Sequence, residues 1–101
     1  MSSLWADMAS LLSKRPEEIE AEAASAWVFS ELSAVDHAVG EYVRGYGVAS
    51  PDELIDLIRD GRVKGHPAWE DSIDWSNLLG YRNKVLKGIT LLRDAARDHS
   101  K

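Results

Sequence analysis

Apolar positions recur along this chain at spacings of three and four, the spacing that places side chains on one face of an α-helix. Leu4, Trp5, Met8, Leu11 and Leu12 form the first such stripe behind Ser2 or Ser3, either of which can cap a helix start. Lys14 and Arg15 close it, and Pro16 ends it or opens the next helix. A longer stripe follows, with Val28, Leu32, Val35, Val39, Tyr42 and Tyr46 separated by four, three, four, three and four residues, a seam of the coiled-coil kind. Trp27, Phe29 and Val43 widen that face, and Gly47 is placed to end the helix in a left-handed cap. Ser50-Pro51-Asp52-Glu53 then reads as a compact start signal, with serine as N-cap, proline at the first helical position and a glutamate three residues on. Leu54, Ile55, Leu57 and Ile58 give this helix its apolar face, and Asp60-Gly61 stops it. The last stripe comprises Ile73, Trp75, Leu78, Leu79, Val85, Leu86, Ile89 and Leu92.

These stripes predict an all-α fold in one domain over residues 1–101. Two long antiparallel helices, at about 16–46 and 69–98, are joined by a short helix at about 51–60, and another short helix at about 3–14 precedes them. At 1.5 Å per residue the long helices each run on the order of 45 Å, whereas a compact domain of this size has a radius of gyration near 13 Å, an estimate from chain length. The hairpin is therefore expected to be elongated, with faces that two short helices cannot cover. Completion of the bundle as a homodimer is expected, with Val28, Leu32, Val35, Val39, Leu79, Leu86 and Ile89 in its core. Gly80 and Gly88 each cost roughly 1 kcal/mol inside a helix, so both are expected where another backbone comes close.

Charge sharpens this picture. Residues 1–50 carry three basic side chains against eight acidic ones, residues 51–101 carry nine of each, and the segment from Arg82 to Lys101 has six basic residues and two acids. An acidic first long helix beside a basic last one favours their packing. The overall charge of -5 does not suit a nucleic-acid partner. Cysteine is absent, which removes disulfides, thiolate nucleophiles and cysteine-based zinc sites. With neither a membrane-spanning run nor a signal peptide in view, the expectation is a cytoplasmic protein without cofactor or metal. His37 and Glu41 have the spacing of a surface helical pair, and His66 and His99 form no metal-ligating pattern.

The stretch from Gly65 to Trp75 links helix to helix and sets two tryptophans six residues apart around Glu70, Asp71 and Asp74. Trp27 and Trp75 are expected in the core. Trp69 stands where a helix is only starting, with half its surroundings water, and tryptophan is the residue most enriched at interface hot spots. Trp69, Glu70, Asp71 and Asp74 are therefore the expected partner-binding residues.

Two resemblances bear on function. Tyr81-Arg82-Asn83 to Lys87 resembles the segment of HEPN-type RNase toxins in which an arginine-asparagine pair precedes a catalytic histidine. Lys87 occupies the histidine position, and a lysine titrating near 10 cannot replace an imidazole near neutral pH, so the cleavage activity is not carried over and no enzyme is expected. Tyr46-Gly47-Val48, Glu53-Leu54, Asp60-Gly61 and His66-Pro67-Ala68-Trp69-Glu70-Asp71 to Trp75 resemble small helical antitoxin-like proteins encoded beside prokaryotic toxins. That resemblance covers about residues 40–80 and implies binding of a second small protein, the toxin, through helical contacts. The alternative expectation is a self-associating helical dimer with a structural or scaffolding role.

Overall fold

Proline and glycine divide the chain into four helices, and the computed structural model describes residues 3–99 of it. Helix α1 spans Ser3–Leu12, α2 Pro16–Tyr46, α3 Pro51–Arg59 and α4 Gly65–His99. Pro16 opens α2 at a position where its missing N–H costs nothing, with Glu17 and Glu18 at the positive end of the helix dipole. Gly47 closes α2 at φ 71°, and its N–H donates to the Val43 carbonyl at 2.9 Å. At the start of α3 the Ser50 hydroxyl accepts the Glu53 N–H at 3.2 Å, while the Glu53 carboxylate reaches back to the N–H of Ala49. The capping box is thus closed one residue further out than its usual form. Gly61, at φ 74°, ends the turn after α3, where its N–H reaches Ile58 O and the Arg62 N–H reaches Leu57 O. That is the paired bonding of a Schellman motif. In α4, His66 sits outside helical geometry at φ -112° and ψ 127°, and the His66–Pro67 peptide bond is cis. Regular helix therefore starts at Pro67, two residues before the expected start.

Helices α2 and α4 pair as an antiparallel hairpin. Tyr46 stands opposite Asp71, Tyr42 stacks on Trp75 with ring centroids 5.7 Å apart, and Arg82 Nε meets Asp36 Oδ1 at 2.6 Å. Further along, Gly88 faces Val28. The result is long and thin, 62 × 26 × 21 Å, with a radius of gyration of 19.9 Å against the roughly 13 Å of a compact chain this size. Val28, Val35 and Val85 are buried along the hairpin, so the coiled-coil seam is used within one chain.

The densest packing lies at the loop end. Leu54 of α3 and Trp75 of α4 are fully buried there with Ala68, and Val39, Tyr42, Tyr46, Ile58 and Leu79 close around them. Helix α3 covers this end by turning its apolar face onto α4, which its spacing of Leu54, Leu57 and Ile58 prepares.

Several expected core positions lie outside instead. Among the described side chains of α1 only Ala9 is buried, against α2, while Leu4, Met8, Leu11 and Leu12 are exposed; the side chain of Trp5 lies outside those described. Trp27, expected in the core, is 60% exposed, because it sits about a quarter turn off the Val28–Val35 seam. Ile73 is likewise on the outer side of α4, opposite Trp75 and Leu79. The two glycines differ as well. A Cβ on Gly88 would touch Val28 Cγ2 at 3.9 Å, an ordinary contact, whereas a Cβ on Gly80 would meet nothing within 4 Å. Gly80 therefore makes no close contact within the chain. Gly80→Ala is expected to stabilise the fold by about 1 kcal/mol in dilute protein, seen as a higher denaturation midpoint. A lower midpoint would show a contact at Gly80 that this fold does not contain.

Candidate interaction surface

The first turns of α4 pack against α3 on one side, where Ala68 and Trp75 meet Leu54. His66 Nδ1 lies 2.9 Å from Glu70 Oε1, one helical turn on. That hydrogen bond is the main reason the Glu70 carboxyl titrates below its ordinary range. Ser72 is buried and donates its hydroxyl to the Trp69 carbonyl at 2.7 Å. Trp69 is 50% exposed and Ile73 48%. Asp74 is exposed beside them.

Asp71 points the other way. It is half-buried, and its Oδ2 accepts the hydroxyl of Tyr46 across the hairpin. Of the four residues expected to bind a partner, Trp69, Glu70 and Asp74 share an outward surface, and Asp71 helps close the hairpin. The phenol of Tyr46 responds to this arrangement, its pKa being raised to about 12, first by the bond to Asp71 and then by burial.

The residues expected in a dimer core occupy the α2–α4 seam. Val28 and Val35 are buried, Leu32, Val39, Leu79 and Leu86 are half-buried, and Ile89 lines a groove of about 320 Å³ with Ser25, Phe29, Leu92 and Arg93. A second copy could reach most of these only by opening the hairpin. Among the described residues, exposed ion pairs outside the seam include Lys14 with Glu22 at 3.2 Å and Arg15 with Glu18 at 2.9 Å, and His37 Nε2 lies 3.0 Å from Glu41. Pairs of this kind contribute little individually. Arg82, the arginine of the HEPN-like segment, is held by Asp36, and the neighbouring Tyr81 hydroxyl donates to Glu31 at 2.5 Å, which raises the Tyr81 pKa. Among the described residues no group of three or more histidines or carboxylates could hold a metal ion, and no helix is long and apolar enough to cross a membrane.

Sequence reasoning located the acidic start of this surface and missed its extent. At 100° per residue, Trp69, Ile73, Ser76, Gly80, Lys84, Lys87 and Leu91 fall on one stripe, about 135° around the helix from the buried Ala68, Ser72, Trp75 and Val85. All seven are exposed. The signal lies in the spacing: Ile73 and Leu91 share the phase of Trp69 and not that of Trp75, which takes Ile73 out of the inward stripe that its apolar character suggests.

A family model described as "Uncharacterized protein MJ0235 family" matches residues 1–96. No curated protein and no solved structure matches the chain. A match over nearly the whole length settles the family, and the chain belongs to the uncharacterized protein MJ0235 family.

Proposed function

We propose that this chain is a non-catalytic protein-interaction module of the cytoplasm, whose contact surface is the outer face of α4 beginning at Trp69, Glu70, Ile73 and Asp74. The carrying observation is that Trp69 and Ile73, large apolar side chains one turn apart, stay half in water beside two carboxylates on a rigid helix. An aromatic anchor ringed by charge on a preformed helix is what binding hot spots are built from. In the antitoxin-like form of this reading the partner is a second small protein with a basic, apolar-centred face, and the product of a neighbouring gene is the first candidate to test.

Trp69→Ala is expected to weaken a complex with that product by ~2 kcal/mol or more, roughly a 30-fold rise in Kd, while the melting temperature changes little. Isothermal titration on folded protein measures this. Undiminished binding by the variant would remove this face from the contact.

A further inference from the structure

The outer stripe of α4 has a symmetry that a single partner of unrelated sequence would not require. We infer that its occupant is a second copy of this chain, docked antiparallel along α4 with the twofold axis at Gly80; this rests on the reading of that face as a contact surface and names what it contacts. Four observations converge on this register. Gly80 is solvent-exposed with open space above it, so its cost to the helix is unrecovered within the chain and is recovered where two helices cross backbone to backbone. The stripe is apolar at its two ends, Trp69 and Leu91, and each lies eleven residues from Gly80. Antiparallel pairing about Gly80 then lays Trp69 of one copy over Leu91 of the other, and Ile73 over the aliphatic stem of Lys87.

Charge agrees with the same register. Before Gly80 the exposed Glu70 and Asp74 flank the stripe, and after it the exposed Lys84 and Lys87 lie on it. Reversing one helix against the other brings the acidic half of each copy alongside the basic half of its partner, whereas parallel docking would set like against like. From Trp69 to Leu91 the stripe is about 33 Å long at 1.5 Å per residue, half the 62 Å length of the molecule. That is long enough for a continuous isologous helix pair. The hairpin seam remains closed in this dimer, because the new contact uses exposed residues of α4 and not those buried in the seam.

The absence of cysteine from the sequence gives a clean test. Gly80→Cys places a single thiol on the axis, and facing Cα atoms of closely packed helices fall within disulfide reach. Under mild oxidation it should cross-link to a covalent dimer far faster than Glu20→Cys on α2. Gly80→Glu should weaken self-association about 100-fold or more by burying two like charges at the axis, read by analytical ultracentrifugation at micromolar concentration. Because Gly80 has open space in the single chain, dilute Gly80→Glu should keep the parent's far-UV signal and melt no lower than the parent. A dimer that survives Gly80→Glu, or a Gly80→Cys that cross-links no faster than Glu20→Cys, overturns the inference. A chain that stays monomeric overturns it too; if that monomer still loses a partner on Trp69→Ala, the interaction reading stands without the dimer, and if it does not, both fall.

Discussion

Replacing Trp75 with alanine is expected to cost about 3–5 kcal/mol of stability, the range for emptying a fully buried aromatic site. Trp75 has no exposed surface, stacks on Tyr42 at an interplanar angle of 15°, and forms the cluster under α3 with Leu54 and Ala68. Truncation removes the stacking partner of Tyr42 and opens a cavity that α3 cannot fill without leaving its caps at Ser50 and Gly61. Since domains of this size are stable by about 5–15 kcal/mol in total, urea denaturation followed by circular dichroism should show a large fall in midpoint or no cooperative transition. Trp75→Phe separates packing from polarity. It keeps a ring against Tyr42 and removes an indole N–H that has no hydrogen-bond acceptor among the described residues, so its loss should stay below about 1.5 kcal/mol. A Trp75→Ala variant within about 1 kcal/mol of the parent would mean that the α3 end is not the core.

The second large effect is alkaline. The Tyr46 hydroxyl donates to Asp71, and its pKa rises from the ordinary 10 to about 12. A folded pKa above the unfolded one means that the protonated phenol stabilises the fold. That contribution is complete below pH 10 and is lost as pH climbs through about 12. The gap corresponds to about 2 kcal/mol once partial exposure is allowed for. Chemical denaturation at a series of pH values should show stability falling across this window, and Tyr46→Phe should be less stable at neutral pH but fall less steeply. Parallel slopes for parent and Tyr46→Phe between pH 10 and 12 would dismiss the Tyr46–Asp71 bond as a source of stability.

Helix limits were the most legible part of this chain, because they are written locally. Pro16 and Gly47 bound α2 where expected, and Ser50, Pro51 and Gly61 did the same for α3. Each acts through its own backbone and needs no knowledge of the rest of the fold. The elongated hairpin followed from helix lengths alone. What was not legible is which apolar residues meet a neighbour. Periodicity shows that Leu4, Met8 and Leu11 share a face, but not whether another helix lies against it, and among the described residues Leu4 and Leu11 stay largely exposed. Trp27 failed for the same reason, lying just beyond the width of the seam that α4 covers. Gly80 and Gly88 look alike in sequence and differ by their phase on α4, one turned outward and the other toward Val28. Asp71 was grouped with Glu70 as acid at a helix start. Its true partner is Tyr46, 25 residues away, and that pairing depends on the register of two helices. The candidate surface was thus recognisable at Trp69, Glu70 and Asp74, where composition is unusual, and hidden further along, where Gly80, Lys84 and Leu91 are ordinary residues that acquire meaning only by sharing a stripe.

Placing the aromatic core at the loop end has a consequence for how the chain comes apart. The hairpin is clamped where α2 turns into α4, and its far end is held by smaller contacts, among them Ala9, Ile19, Val28 and Val85. Local opening therefore begins at the far end, where few apolar contacts are broken per residue released, and moves toward Trp75 like a zipper with its slider fixed at the turn. Amide protons would follow that order, exchanging fastest in α1 and slowest beside Leu54 and Trp75. The chain carries a gradient of rigidity along its long axis, and the outer stripe of α4 runs down it from the stiff end at Trp69 to the yielding end at Leu91.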